Sequence, residues 1–400
     1  MPRLIVLAPT LSAHHHGALV TLADSAHRSG WDVDVVTSPE DPDARMPAHV
    51  RVTRALSSPY ERPFDDPVAE IGASNYIFYS QLKGLGDLLH GGAQDLIYLP
   101  MLHHRIVYGF MRAYDELLAA KGTAPDFTAT LYSQECFFRG TEEIHQRNSA
   151  IYARFFEWAN GHGPRCRHLF SFAAAHLPHL RSLGAPDDRL SAFPFLQPHI
   201  PEVRRRPDNL PMGRVTYGYF GFSWWEQKGL GKLLGAARKV LAADPGAAFL
   251  VHVDVSRAAY DAAAMLEAHQ DVLRHPRVRV LEGNLPADLF YGALEACDVV
   301  VLPYGPAYDR QESGIVHEGA MFGKPVVVPA TSVANRRLVD AGARLPAFAE
   351  WTPDAIADAC LEAGRDLDRY RQSIRQAEPR LNEILKPDYL LGKMGIRPAS

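Results

Sequence analysis

Residues 310–329 read RQESGIVHEGAMFGKPVVVP. Ser313-Gly314 opens a short apolar helical run with Glu318 in its middle, and Gly323-Lys324-Pro325 stops it before a valine run. A helix start leaves backbone N–H groups without intrahelical partners, and the aligned peptide dipoles make that end positive. Glycine there lets a ligand approach the backbone without a side chain intervening. The combination suits a phosphate. Glu318, about one turn into the helix, is placed to accept hydrogen bonds from a vicinal diol, such as ribose, attached to that phosphate. Read alone, Ser313 serves equally as a plain N-cap and Glu318 as a solvent-facing side chain.

A second stretch points the same way. YFGFSWWEQKGLGKLL (219–234) also follows an apolar strand and opens a helix with glycine. Lys228 falls at that helix start, where its charge opposes the dipole unless an anion joins it. Two anion-seeking loops and one carboxylate at a common sheet edge suit a nucleoside diphosphate. Neither GxxxxGK[ST] nor a well-placed GxGxxG is present, so the residues do not support an ATPase or a dehydrogenase.

The elements that must position these residues alternate along the chain. RLIVLAP precedes a helical pattern from Gly17 to Ser29 and the strand DVDVVTS; DLIYLP, DFTATLYS and HLFSFA each precede a helix-like segment. After a proline-rich stretch ending near residue 213, RVTYGYFG, AAFLVHVDV, VRVLEG, DVVVLPY and PVVVPA repeat the rhythm. Such alternation predicts an α/β chain with parallel sheets covered by helices. The expected division is a Rossmann-like unit over 1–200, a linker over 201–213, a second Rossmann-like unit over 214–375 and a helical tail over 376–400. Arg204 to Arg206 read as a solvated patch of the linker. In such sheets ligands sit beyond the carboxyl ends of the strands.

Composition excludes several classes. The 400 residues are 47% hydrophobic and 22% charged, with a net charge of -4, an ordinary globular balance without the basic excess of a nucleic-acid binder. Four dispersed cysteines read as reduced thiols,. The apolar start is short and broken by Pro9, and nothing approaches the roughly 18 residues of a bilayer span. The expectation is a cytoplasmic protein without a transmembrane segment, peripheral attachment at the inner membrane face being compatible.

SGIVHEGAMFGKPVVV resembles the donor-binding segment of retaining GT-B glycosyltransferases of family four, which runs S-G-hydrophobic-hydrophobic-x-E-A-x-x-x-G-x-P-V-V. GFSWWEQKGLGKLL is similar to their G-R-x-x-x-x-K-G segment, and LEGNLPADLFYGALEACDVVVLPY to the stretch between these two. The likeness is closest over 278–329 and loosest between 40 and 165. It implies two Rossmann-like domains facing each other across a cleft, and transfer of a sugar from a UDP- or GDP-type donor to a hydroxyl of a glycan, lipid-linked or protein acceptor. It implies no cofactor, the nucleoside-diphosphate sugar being a co-substrate. Lys228 would contact the diphosphate and Glu318 the ribose. Gly221, Ser223, Glu312, Ser313, Gly314 and Ile315 would line the donor, with Gly283, Asn284 and Leu285 bordering the base. At three positions the chain differs: the family's Glu eight residues before Glu318 is Arg310, with Glu312 displaced by two; the Arg of its G-R segment is Phe222; its amino-domain histidine is Tyr132.

Arg310 and Glu135 join Lys228 and Glu318 as candidate catalytic residues. His16, Gly17, His103 and Tyr132 are candidates for the acceptor side, although His103 and His104 read equally as surface or capping histidines. Three adjacent histidines at 14–16 point in different directions, and no residue set reads as a metal site. Trp224, Trp225 and Tyr308 fit either sugar stacking or packing. Two other readings share the residues: a nucleotide-sugar epimerase, which needs an acid–base carboxylate pair that is not evident, and a non-catalytic sugar-nucleotide binding protein.

Overall fold

In the computed structural model the described residues are all but 10–12, 40–45, 58–66, 91, 93, 133–141, 194–199, 211–212, 222–225, 254–260, 284, 309–310, 385 and 398–400. Arg310, Glu135, Ser223, Asn284, Phe222, Trp224 and Trp225 therefore lie outside the described residues, as do the side chains at 13–16.

The apolar runs become parallel strands buried on both faces, the pattern expected where helices cover a sheet. The first sheet takes the order β3-β2-β1-β4-β5-β6-β7. Its strands are β1 (Arg3–Ala8), β2 (Asp32–Thr37), β3 (Val50–Arg54), β4 (Leu96–Leu102), β5 (Asp126–Leu131), β6 (Cys166–Ser171) and β7 (Leu190–Ala192). Alternate residues of β1 serve opposite cores. Leu4, Val6 and Ala8 pack with helix α1 (Ala13–Arg28), and Ile5 and Leu7 with α2 (Pro67–Gly84), α4 (Val107–Lys121) and α5 (Glu142–Gly161), α3 being the short Gly86–Leu89. α6 is Leu177–Ser182.

The second sheet takes the order β10-β9-β8-β11-β12-β13. Its strands are β8 (Val215–Phe220), β9 (Ala247–Val253), β10 (Val278–Glu282), β11 (Val299–Val301), β12 (Val326–Pro329) and β13 (Ala347–Phe348). The helices between them are α7 (Leu230–Ala243), α8 (Asp261–Ala268), α9 (Gln270–Leu273), α10 (Ala287–Ala296), α11 (Gly314–Met321) and α12 (Val333–Asp340), followed by α13 (Pro353–Arg365) and α14 (Leu367–Ile384). Numbered within each unit, both sheets begin 3-2-1-4-5-6, the doubly wound order whose switch point falls between strands 1 and 4.

The chain divides into one unit of Met1–His199 with Leu385–Ser400 and another of Ile200–Ile384. The tail thus does not form a separate piece. Its last helix, α15 (Pro387–Lys393), buries Leu390 and Leu391, with Met394 and Ile396 just beyond it, in the α1 face of the first unit. Ser25 Oγ donates to Asp388 at 2.8 Å there. In the linker Arg205 and Arg206 are exposed, as expected of a solvated patch, and Arg204 is half-buried. Arg204 Nε bonds Glu295 at 2.8 Å and Arg205 pairs with Asp288, fastening residues 204–205 to α10. Cys166, Cys297 and Cys360 are free and buried, as expected of packed thiols. Among the described residues no helix is long and apolar enough to cross a membrane.

Candidate functional site

The chain leaves β8 toward β9 and leaves β11 toward β12, so the two following loops diverge at adjacent strand ends and open a crevice,. Local sequence ties their bases together. Gly229, the N-cap of α7, has φ +72, and a Cβ there would collide with the Pro303 carbonyl oxygen; only glycine meets both demands. The Gly305 N–H donates to the Gln227 carbonyl at 2.7 Å, and Trp351 Nε1–H donates to the Pro303 carbonyl at 2.9 Å.

Lys228 lies in the turn before Gly229, and α7 begins only at Leu230, so the expected helix start at Lys228 is corrected by two residues. Its ammonium stands 6.0 Å from the centre of the Tyr308 ring. That ring packs 4.3 Å from the ring of Tyr304, whose hydroxyl shares a 2.7 Å hydrogen bond with Ser313 Oγ. A chain of contacts through two tyrosines thus brings Lys228 and Ser313 together.

Ser313 does occupy the N-cap of α11, with φ −135 and ψ 119, yet its side chain makes no capping bond. The hydroxyl is committed to Tyr304 instead. The first-turn amides of α11 are left without the side-chain oxygen that ordinarily answers them, the condition under which a helix start attracts an external anion. Gly314 is half-buried, while Ile315 is packed inside.

Glu318 is 0% exposed and accepts a 3.2 Å hydrogen bond from the Tyr291 hydroxyl at Oε1. This removes the solvent-facing reading. Burial, reinforced by the neighbouring Glu318 charge, pushes the Tyr291 phenol upward, so it remains a donor,. Glu312 is also buried, and both its oxygens have partners: Oε1 accepts from Arg337 Nε at 3.0 Å, and Oε2 lies 3.3 Å from His317 Nε2. The donor-binding place expected for Glu312 would thus be held by a carboxylate already paired within the fold. These bonds fix it between α11 and α12.

At the end of β10, Gly283 donates to the Val253 carbonyl at 2.9 Å and accepts from His252 Nε2 at 2.9 Å. Phe290 of α10 packs edge-on against Phe220 and His252, with centroids at 5.5 and 6.2 Å, and Leu285 beside it is half-buried. β10 stands two strands from β8, about 10 Å at the usual strand spacing. The loops after β10, β8 and β11 therefore follow one another along one sheet edge.

The acceptor-side candidates belong to the other unit. Its switch point lies between β1 and β4. The helix after β1 begins at Ala13 rather than Gly17, which puts His14 to His16 in its first turns instead of a loop. Gly17 is buried and its carbonyl accepts from Thr21 Oγ1 at 3.1 Å. His103 and His104, directly after β4, are 0% and 2% exposed, so they are not surface histidines. Their rings lie 4.0 Å apart, and His103 lies 5.5 Å from the half-buried Tyr132 at the end of neighbouring β5.

Sequence reasoning passed over Tyr291, Tyr304 and Arg337. The signal for the tyrosines was there: a phenol inside an otherwise apolar run must find a polar partner when buried. A cavity of about 420 Å³ lies away from the site, at the opposite end of β8, lined by Arg214, Arg365, Asp366 and Asp368 among others. Among the described residues no group of three or more His, Cys, Asp or Glu is arranged to hold a metal ion.

Neither protein-family models nor curated protein sequences give a match. Solved structures do. The trehalose 6-phosphate synthase of Burkholderia multivorans superposes with a TM-score of 0.70 at 14% identity, covering 99% of this chain and 98% of that one. The sucrose-phosphate synthase of Thermosynechococcus elongatus gives 0.68 at 16%, with the same coverage. Anabaena HepE, crystallised with UDP and glucose, gives 0.62 at 13%, covering 99% and 98%. The chain has the GT-B fold. Likeness at these identities speaks for the fold and leaves the chemistry to the site.

Proposed function

We propose that this protein is a retaining glycosyltransferase that moves a sugar from a nucleoside-diphosphate donor, UDP-linked as in the Anabaena complexes, to an acceptor hydroxyl. The observation that carries the reading is the joining of Lys228 to the uncapped start of α11 through Tyr308, Tyr304 and Ser313. Fixed positive potential at that place serves the leaving diphosphate, whose charge grows as the glycosidic bond breaks. Glu318, oriented by Tyr291, receives the ribose hydroxyls, and the Gly283 turn borders the base. The resemblance implies that a donor phosphate oxygen takes the acceptor proton, so the reading requires no separate protein base. Arg310 and Glu135 remain candidates for the reacting centre, and His16, His103 and Tyr132 for the acceptor side.

Thermal shift with UDP, GDP, ADP and TDP sugars tests binding, since a ligand at 100 times its Kd adds about 2.7 kcal/mol of stability. Slow release of free sugar from the stabilising donor then marks a transferase. Stabilisation without release would mark a binding protein, and conversion of the donor to its epimer an epimerase. Activity is expected to survive exhaustive EDTA treatment; loss restored by magnesium or manganese would overturn the reliance on Lys228 and the helix start.

A further inference from the structure

Three buried polar atoms beside the β8 and β11 loops have no hydrogen-bond partner: Tyr219 Oη, Gln227 Oε1 and Gln311 Nε2. Tyr219 is 0% exposed and Gln311 1%. The Tyr219 ring folds over Gly221, with its hydroxyl where a Cβ of residue 221 would stand, so it lies against the backbone as the loop leaves β8. Gln227 belongs to the same loop and is tied through its carbonyl to Gly305 beyond β11. Gln311 follows the Pro306–Tyr308 turn, its N–H donating to the Tyr308 carbonyl at 3.0 Å, and stands two residues before Ser313. Other buried polar atoms without a partner are scattered through the chain, at Thr37, Thr128 and Arg279 among others, but these three share the loops of one switch point, where a ligand can answer them together,.

The chemistry of the set is specific. It holds a phenol that donates or accepts, an amide donor and an amide acceptor, and no charge. An ionised diphosphate only accepts, so it leaves Gln227 Oε1 unanswered, whereas sugar hydroxyls both donate and accept. We infer that Tyr219, Gln227 and Gln311 form a neutral subsite that reads the hydroxyls of the transferred sugar, selecting neutral over carboxylate-bearing donors. The inference rests on the function proposed above. Burial keeps the Tyr219 phenol protonated, its neighbour Tyr308 acting in the same direction,.

Calorimetry on wild type, Tyr219→Phe, Gln227→Met and Gln311→Met compares UDP with UDP-glucose, UDP-galactose, UDP-N-acetylglucosamine and UDP-glucuronic acid, the GDP series replacing these if GDP is the nucleotide bound. The expected result is nucleotide affinity within twofold of wild type in every variant, with five- to fifteen-fold weaker binding of the best neutral sugar nucleotide. Wild type should bind UDP-glucuronic acid at least tenfold more weakly than that donor. Tyr219→Phe should melt at or above wild type without ligand, because an unanswered buried hydroxyl has been removed. Equal losses for nucleotide and sugar nucleotide, or no loss at all, would overturn the subsite while leaving the nucleotide site standing. If wild type binds no nucleoside diphosphate, the proposed function falls and the subsite with it.

Discussion

The two sheets share a strand order but furnish their switch points differently. In the second unit the loops after β8 and β11 bring a lysine, glycines and an uncapped helix start to one place. In the first unit the corresponding strand β4 ends in two fully buried histidines packed toward a tyrosine. Doubly wound topology supplies a crevice each time. Whether the crevice draws an anion depends on the loops, because the backbone arrangement is common to both. Under the proposed function, the second unit binds the donor and the first meets the acceptor.

The largest expected contrast concerns the backbone that shapes these ends. Gly229→Ala should cost about 3 kcal/mol or more, since it adds a clash with the Pro303 carbonyl to a left-handed backbone,. Gly122→Ala in the first unit, also left-handed at φ +68 but with open space around it, should cost only about 1–2 kcal/mol,. Urea unfolding of both variants measures this, and equal losses would mean that the Pro303 contact contributes nothing.

Lys228→Ala should reduce kcat about a hundredfold, roughly 2.7 kcal/mol, with little change in donor KM, and should depress donor hydrolysis equally. His103→Ala should lower transfer about tenfold and leave hydrolysis of the donor intact. If both variants lose hydrolysis, the division of labour between the units is wrong.

Glu318→Gln should weaken nucleotide binding by roughly 1.5–3 kcal/mol while keeping an acceptor for Tyr291,. Glutamine is the informative choice because alanine would strand that buried phenol. Unchanged affinity in a folded variant would end the ribose assignment.

Acid should act first on the amino-terminal unit. Burial beside Ser191, aided by the Lys393 charge, holds His168 near a pKa of about 4. The unfolded chain, with an ordinary histidine near 6.5, binds the proton more readily below that pH. The contribution is complete above pH 6.5 and is lost as pH falls toward 4, on the order of 3 kcal/mol,. His168→Gln should accordingly lose less melting temperature between pH 7 and 4 than wild type does; an identical loss would place the acid sensitivity elsewhere.

Much of this is legible in the sequence. Runs such as residues 299–301 and 326–328 are apolar throughout, and strands of that kind are buried on both faces, which demands helices on either side and parallel neighbours. Ser313-Gly314 and Lys228 stood out because a helix start has an electrical sign. Those are local properties of the chain, and sequence alone determined them. Sequence also left Glu318 ambiguous between solvent and site, gave no sign that Glu312 pairs with Arg337, and treated the tail as a separate segment. Each of these depended on a partner distant along the chain: Tyr291 from α10, Arg337 from α12, and the α1 face that receives Leu390 and Leu391. Burial, hydrogen-bond choice and the meeting of Lys228 with Ser313 are decided by which elements pack together, so only the tertiary structure fixed them.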